Sequence, residues 1–358
     1  MKVLISGYYG FYNAGDEAIL KSIIQALRQI NPDINIVVLS NDVEYTKKTY
    51  NVNAINRWNL PKIYKELKSS NGLISGGGSL LQDVTSCRPV IYYITIMELA
   101  KLAKKPTFIY AQGVGPVNSN INRKLIKKVL NKVEYISLRD NESLELLRYI
   151  GITKDIQIVP DPVMGFNIED KSDDFSKSED YITVSIREWD GCNNQFLEKI
   201  AKTCDEIVKL NKEVVFVPMH GEHDYNVSKK IINMMKYDAK VLDYKSSIEE
   251  KVLCIESSKL MIGMRLHALI FAAKANTPMV GISYDPKIES FLKLVEQKCI
   301  GSVTDGWSYK DLVKVVENIL ENEEYIRKNL KEKADELNKK AESTAMKALN
   351  VFQNNGIK

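Results

Sequence analysis

Basic side chains follow predicted strands at several places in the 358-residue chain. Arg265 and His267 stand at the head of an apolar helical run in GMRLHALIFAAKANTP, and Lys287 follows the next apolar strand in YDPK. The start of a helix favours anions, and histidine titrates near neutral pH. These residues predict a pocket for a small anion with one titratable member. Taken alone, His267 fits a capping or core-edge position equally well.

Another cation, Arg139, ends a predicted strand in SLRDNES, with Asp140 or Asn141 available as the cap of the next helix. An arginine fork can hold a carboxylate or phosphate through two parallel hydrogen bonds. A solvated arginine paired with a nearby acid is compatible with the same local sequence.

The first predicted strand runs into GYYGFYNAGDEAI, in which glycines permit a tight turn before Asp16 and Glu17 open a helix. We predict that Asn13 and Asp16 hydrogen-bond a sugar, and that Asp16 takes a proton from an attacking hydroxyl. An ordinary helix N-cap at Asp16 is the alternative.

Three consecutive glycines, Gly76, Gly77 and Gly78, follow a predicted strand in LISGGGSLLQD, which ends at Asp83. Backbone amides in such a loop can cradle an anion or approach a ligand closely. The loop lacks both the GK[ST] ending of a Walker loop and the GxGxxG spacing. A tight strand-to-helix turn is the alternative interpretation.

These loops follow short apolar runs that alternate with helical segments, the pattern of βαβ units and a mostly parallel sheet. The runs in the first half are VLIS (3–6), INIVVLS (34–40), GLIS (72–75), TFIYA (107–111), YISL (135–138) and IQIVP (156–160). Helical spacing is seen at 17–30, 122–132 and 142–150. Ligands of such sheets bind beyond the carboxyl ends of the strands, where the loops above lie.

The acidic segment NIEDKSDDFSKSED at 167–180 predicts a domain boundary, and the alternation then resumes. The later runs are YITVSI (181–186), EVVFVPM (213–219), LMIGM (260–264) and PMVGIS (278–283). We predict two doubly wound, Rossmann-like domains, 1–170 and 171–335, facing across a cleft. We predict that a helix at 336–358 follows and crosses back to the first domain. The lysine-rich tail from Tyr309 to about Phe352 is predicted to be helical, with a solvated charged face.

The composition argues against several classes of protein. The formal net charge of +4 is too small for a dedicated nucleic-acid binder unless the charge is clustered. Five scattered cysteines without a CxxC pair indicate neither a disulfide framework nor a zinc site, and His220 and His223 in VPMHGEHD have no evident third metal ligand. No apolar run is long enough to span a bilayer. We predict a cytoplasmic protein, with at most peripheral contact at the inner membrane face. The sequence does not determine the oligomeric state.

The ordered set of motifs resembles the polysaccharide pyruvyl transferase family over residues 1 to about 295. The motifs are GDEAI, SGGGSLLQD, AQGVGP, SLRD, PMH and MRLHALIFAAKANTPMVGISYDPK. They look closest to the CsaB-type branch, which pyruvylates N-acetylmannosamine in secondary cell wall polymers. The resemblance implies a GT-B-like fold, with phosphoenolpyruvate as donor and a lipid-diphosphate-linked saccharide as acceptor.

By similarity to that family, the phosphoenolpyruvate anion is bound by Arg139, His267 and Lys287, with Arg265 beside them. The predicted acceptor-binding residues are Asn13, Asp16, Gly76, Gly77, Gly78 and Asp83. The reaction protonates the donor methylene, adds a sugar hydroxyl at C2, releases phosphate and closes a 4,6-ketal with the second hydroxyl. Asp16 is the candidate base, with Asp83 and Asp140 as alternatives; His267 binds phosphate, acts as acid, or both. The scheme requires no metal or organic cofactor.

Two other functions are compatible with the sequence. The same fold serves glycosyltransferases that use nucleotide sugars, because fold alone does not fix function. An inactive polysaccharide-binding protein is the second alternative. Arg139, His267 and Lys287 together argue against it, because a neutral sugar needs no cationic cluster.

Overall fold

A computed structural model describes residues 1–84, 86–168, 180–189 and 193–355. The chain divides into two compact units. Unit 1 comprises residues 1–167 and the chain from 337 onwards, and unit 2 comprises residues 168–336. Most of the acidic segment predicted as the domain boundary lies outside the described residues, as does Cys192.

Unit 1 is built on a parallel sheet. Its described strands are β1 (Lys2–Ser6), β2 (Asn35–Ser40), β3 (Asn53–Asn56), β4 (Gly72–Ser75), β5 (Gly78–Leu81), β6 (Thr107–Val114), β7 (Tyr135–Leu138) and β8 (Ile156–Ile158). They lie in the order β3-β2-β1-β4-β6-β7-β8, and β5 pairs with β6. The strand order reverses between β1 and β4, which is the point where doubly wound sheets bind ligands.

Helices connect these strands. They are α1 (Ala14–Ile30), α2 (Val43–Tyr50), α3 (Leu60–Ser69), α4 (Arg88–Leu102), α5 (Asn120–Leu130) and α6 (Asn141–Ile150), followed by a short 3-10 helix at Pro162–Gly165. Side chains cap several of them: Asn13 accepts from the amide of Gly15, and Asp140 accepts from that of Ser143. Each cap satisfies a backbone N–H that the first helical turn leaves without a partner.

Unit 2 repeats this architecture. Its described strands are β9 (Tyr181–Ser185), β10 (Glu213–Phe216), β11 (Lys240–Val241), β12 (Leu260–Gly263), β13 (Met279–Ser283) and β14 (Lys298–Ser302), in the parallel order β11-β10-β9-β12-β13-β14. The helices are α7 (Asn194–Lys209), α8 (Gly221–Met234), α9 (Ile248–Glu256), α10 (Leu266–Lys274), α11 (Pro286–Leu294) and α12 (Tyr309–Glu321).

The final helix, α13 (Glu323–Asn355), begins in unit 2 and ends in unit 1. Its Phe352 is fully buried. A Cβ built on Gly72 of β4 would lie 2.3 Å from the Phe352 ring, so the ring occupies the space that glycine leaves. The last turns of α13 are therefore part of the hydrophobic core of unit 1.

The strands and helices predicted from the sequence runs are confirmed. The prediction omits β3, β5, β11 and β14, which are short or polar. The glycine loop is not the strand-to-helix turn of the alternative interpretation, because β5 begins at Gly78 and the next helix only at Arg88.

Candidate functional site

A charged cluster lies at the carboxyl ends of the strands in unit 1; we call it the Asp16 cluster, consisting of Asp16, Gly78, Ser79, Arg139 and Asp161. The Arg139 side chain, only 7% exposed, follows β7 and donates from Nη1 to Oδ2 of Asp161 at 2.7 Å. It also donates from Nη2 to Oγ of Ser79 at 3.2 Å. The arginine that the sequence predicts as an anion ligand is thus held by an internal carboxylate.

Burial alone would lower the pKa of Arg139, but Asp161 and Asp140 raise it above its ordinary value. The Asp140 carboxylate lies 3.8 Å from Nε of Arg139. The guanidinium is therefore a permanent positive charge whose field is partly cancelled by its neighbours.

Asp16 lies in the first turn of α1 but does not cap it, because Asn13 is the N-cap. The N-cap interpretation of Asp16 is wrong for this reason, and Asn13 is already engaged through its side-chain oxygen, 3.1 Å from the Gly15 amide. Burial raises the pKa of Asp16 to about 7, Arg139 opposes the rise, and Glu17 and Asp161 add to it. A carboxylate that titrates near neutral pH can accept a proton from a hydroxyl at the working pH of the cell.

Gly78 brings the glycine loop against Asp16. Its φ is +87°, and a Cβ there would lie 2.6 Å from Oδ1 of Asp16. Only glycine fits this backbone conformation and this contact. The sequence prediction that Asp16 and Gly78 belong to one site agrees with this geometry.

The other two glycines of the loop are packed inside unit 1. The Gly76 amide donates to the carbonyl of Ser6 at 2.7 Å, and a Cβ on Gly76 would lie 2.1 Å from the hydroxyl of Tyr9. Ile19 fills the space beside Gly77. The Gly76 amide is engaged in the sheet, so the predicted anion cradle does not include it.

Asp83 follows β5 and holds the loop after β6. Its oxygens accept from the amides of Asn118 and Ser119 at 2.6 and 3.0 Å and from the side chain of Asn122 at 2.9 Å. Burial would raise the pKa of Asp83, but these hydrogen bonds bring it below the ordinary value. A carboxylate so engaged is a weak base, and its hydrogen bonds fix the loop after β6; the predicted contact of Asp83 with the acceptor stays a prediction.

Unit 2 carries a buried ion pair at the corresponding strand ends. Arg265, between β12 and α10, donates from Nε to Oδ2 of Asp224 at 2.8 Å and makes a second, closer contact from Nη2 to Oδ1. Asp224, only 1% exposed, also accepts from the amides of Met219 and His220. Two nitrogens of Arg265 are thus committed to fixing the loop after β10 and the start of α10.

His267 and Lys287 occupy the first turns of α10 and α11. The strands that precede these helices, β12 and β13, are parallel neighbours that pair Met261 with Met279. The loops that follow β12 and β13 are therefore neighbours at the carboxyl edge of the sheet. Asp285 caps α11 by accepting from the Lys287 amide at 2.9 Å, which fixes the backbone of that lysine.

Besides Arg265 and Lys287, this edge carries a further cation that was not predicted from the sequence, Arg187. It follows β9, donates from Nη1 to the hydroxyl of Tyr284 at 2.8 Å, and lies 4.8 Å from the ring centroids of both Tyr284 and Trp189. Burial lowers the pKa of His220, and the positive charge of Arg265 lowers it further, with smaller contributions from His223 and Arg187. Asp224 opposes this effect by raising the pKa. Arg187 directly follows a predicted strand, as Asp161 does in unit 1, and that position was the available signal.

The rings of His220 and His223 are 5.8 Å apart, and the described part of the chain contains no group of three or more potential metal ligands. Within the described residues, no helix has the length and apolar character needed to cross a bilayer.

Solved structures confirm the α/β, GT-B-like fold class. HepE of Anabaena, solved in complex with UDP-glucose, matches 98% of this chain and 99% of its own at a TM-score of 0.66 and 11% identity. The UDP-GlcNAc 2-epimerase of Methanocaldococcus jannaschii matches 89% and 93%, at a TM-score of 0.64 and 16% identity. Heptosyltransferase II of Escherichia coli matches 90% and 100%, at 0.56 and 13%. At these identities the likeness shows the fold.

The family model of the polysaccharide pyruvyl transferases matches residues 13–286. The chain belongs to this family, which supports a transferase that acts on polysaccharides. AmsJ of Erwinia amylovora, an amylovoran biosynthesis protein, is 23% identical over 399 aligned positions that cover 92% of this chain and 94% of AmsJ.

Proposed function

We propose that the protein transfers a pyruvyl group from phosphoenolpyruvate to a sugar as a 4,6-linked ketal. The acceptor is β-N-acetylmannosamine in a lipid-diphosphate-linked precursor of a secondary cell wall polymer, the substrate of the CsaB-type branch that the sequence resembles. The observation that carries the proposal is that this member of the family has both a carboxyl group with a pKa of about 7, Asp16, and several cations at one strand edge. These cations are Arg187, Arg265 and Lys287.

Phosphoenolpyruvate carries a carboxylate and a phosphate, so its site needs several fixed cations. Unit 2 offers cations after three neighbouring strands, β9, β12 and β13. His267 and Lys287 are the proposed donor ligands there. Arg139 is retained as a predicted donor ligand through the family resemblance, although Asp161 occupies its Nη1. Cations at these positions also favour departure of the phosphate, because its charge grows as the bond to C2 breaks.

The reaction moves protons in a balanced way. The C=C π bond of the donor is lost as its methylene gains one proton, C2 gains two bonds to sugar oxygens, and the C2–O bond to phosphate breaks. Of the two protons that the sugar hydroxyls lose, one is balanced by the proton gained at the methylene carbon and the other leaves with the phosphate. Asp16 is the proposed acceptor of a hydroxyl proton because its pKa of about 7 keeps it partly ionised at neutral pH. His267 binds phosphate, supplies the carbon-bound proton, or does both, and we propose that no metal or organic cofactor takes part.

The test is acceptor-dependent phosphate release from phosphoenolpyruvate, with a synthetic lipid-diphosphate disaccharide ending in β-N-acetylmannosamine and mass spectrometry of the product. The expected product carries one pyruvyl ketal. Release with a galactose or glucose acceptor instead would keep the reaction and change the acceptor. No donor turnover with any sugar, from folded protein, would contradict pyruvyl transfer.

One alternative enzyme function merits a parallel assay. The fold is shared with HepE, which was solved with UDP-glucose, so transfer of a sugar from a nucleotide donor is the second candidate. Sugar transfer from UDP-sugars without phosphate release from phosphoenolpyruvate would favour it.

A further inference from the structure

A buried arginine in unit 1 is surrounded by aromatic rings outside the Asp16 cluster. Arg57 directly follows β3, so it lies at the carboxyl edge of the sheet, and it is only 4% exposed. Its guanidinium carbon lies 4.2 Å from the ring centroid of Tyr92, 5.1 Å from Phe11, 5.3 Å from Trp58 and 5.6 Å from Tyr93. We call these four residues the Arg57 cage.

The cage does not neutralise its cation. Nη1 and Nη2 make two long hydrogen bonds, to the carbonyl of Gly7 at 3.3 Å and the hydroxyl of Tyr93 at 3.4 Å. Nε is buried without a hydrogen-bond partner, and among the described residues no carboxylate oxygen pairs with the guanidinium. Burying a charge without an ionic partner is costly, even with aromatic faces around it. Such an arrangement calls for a function other than stability.

The cage adjoins the proposed acceptor site. Tyr8 stacks on Phe11 with the ring centroids 4.1 Å apart. Burial and Asp16 raise the pKa of Tyr8, and Arg57 lowers it, so this tyrosine lies within the electric field of both charges. Arg57 also donates to the carbonyl of Gly7, in the segment between β1 and α1 that leads to Asp16. The Arg57 cage and the Asp16 cluster therefore lie at the same strand end of unit 1.

One ring of the cage is open to solvent. Trp58 is 63% exposed while its indole lies 5.1 Å from the buried ring of Tyr92. The C–H face of a pyranose is apolar and packs on flat aromatic faces, whereas its hydroxyl edge remains hydrated. An indole fixed from beneath and exposed above is suited to this contact, because it loses little conformational freedom on binding.

We propose that Trp58 and Arg57 form a subsite for an acceptor saccharide that carries a phosphate or diphosphate group. The sugar ring stacks on Trp58, and the uncompensated charge of Arg57 attracts the anionic group. This inference rests on the proposed function for its substrate class. It adds the part of unit 1 that binds the acceptor beyond the reacting sugar.

Calorimetric titration without phosphoenolpyruvate tests the subsite independently of turnover. The probes are β-N-acetylmannosaminyl-N-acetylglucosamine as a neutral methyl glycoside, the same disaccharide as its 1-diphosphate, and inorganic pyrophosphate alone. We expect Trp58→Ala to weaken binding of both saccharides about tenfold, the effect of losing a central aromatic contact. Tyr149→Ala is the matched control, since Tyr149 is an exposed aromatic with an arginine, Arg123, 5.4 Å from its centroid.

Arg57→Met tests the charge at nearly constant volume. We expect it to remove the preference for the diphosphate over the neutral glycoside and to abolish pyrophosphate binding. We also expect it to melt no lower than the wild type, because it removes an unpaired buried charge. A large drop in melting temperature with the preference intact would make Arg57 a structural residue and overturn the charged half of the subsite.

Other outcomes separate this inference from the proposed function. Normal acceptor binding by Trp58→Ala would overturn the stacking contact even if pyruvyl transfer were observed. Trp58-dependent saccharide binding without phosphate release from phosphoenolpyruvate would keep the subsite and contradict pyruvyl transfer.

Discussion

The strand-end edges of the two units have the same architecture but hold their arginines in different surroundings. In unit 1, Arg139 is surrounded by acids, with Asp161 at 2.7 Å and Asp140 at 3.8 Å. In unit 2, Arg187 is held by rings and a phenol, and the buried acid Asp224 is paired with Arg265. Burial raises the pKa of Asp16 in unit 1 toward neutrality, and Glu17 and Asp161 add to the rise. The proposed function uses this difference: it assigns hydroxyl deprotonation to Asp16 in unit 1 and includes His267 and Lys287 of unit 2 among the donor ligands.

Removing the base in unit 1 should have the largest effect. We expect Asp16→Asn to lower kcat by about 10²- to 10⁴-fold, the usual contribution of general acid–base catalysis, with the KM for phosphoenolpyruvate unchanged. Steady-state kinetics with both substrates varied checks this. Glu17→Gln is a nearby control, because Glu17 is buried against Gly10 and Tyr50. A selective rise in donor KM for Asp16→Asn would contradict the division of roles.

Removing cations from unit 2 should affect the donor. We expect Lys287→Ala and His267→Ala each to raise the KM for phosphoenolpyruvate about 10- to 100-fold, the range for a lost hydrogen bond to a charged group. Acceptor KM should stay near the wild-type value. Lys293→Ala is a control on the same helix, farther from its start. Normal donor kinetics in both variants would make the assignment of unit 2 wrong.

The raised pKa of Asp16 gives a pH dependence of both rate and stability. As a base it acts only when ionised, so kcat should fall as the pH drops below about 7 and level off above it. Between the ordinary carboxyl pKa and about 7, the folded state keeps a proton that the unfolded state has lost. Stability should therefore fall as pH rises through this window.

Asp16→Asn should remove this pH dependence and raise the melting temperature at pH 8. Thermal melts from pH 4 to 8, compared with the kcat profile, check both predictions. The raised pKa of Asp16 would be contradicted if the melting temperature of the wild type rose with pH and did not differ from that of Asp16→Asn.

The smallest effect on chemistry is expected at Asp83. Asp83→Asn should weaken the loop after β6 and lower stability by about 1–2 kcal/mol, because backbone donors lose a charged acceptor. The KM for acceptor should change less than twofold, measured beside the Asp16 variant. A large acceptor defect in stably folded protein would restore Asp83 to the binding site.

The sequence predicts the repeated strand–helix alternation, because apolar runs such as GLIS and YISL are long enough to stand out against polar loops. Four strands were not predicted, because segments such as β3 (NAIN) and β14 (KCIGS) contain polar residues and become extended only by pairing with neighbouring strands. A local sequence pattern does not show this pairing.

For the site, strand-end position locates Asp16, Arg139, His267 and Lys287. It does not reveal which residues are already engaged, because Asp224, which binds Arg265, is 41 residues away in the chain. Nor does it distinguish Asn13 from Asp16 as the N-cap, since both residue types cap helices and only the backbone conformation decides between them.

The course of α13 has a consequence for synthesis on the ribosome. The first 167 residues of unit 1 emerge long before Phe352, which fills the space beside Gly72. Until α13 has been made, that part of the nascent core lacks a wall and stays exposed to solvent and to proteases. A chain truncated before α13 would therefore leave the amino-terminal unit unfinished, although every residue of the Asp16 cluster had been made.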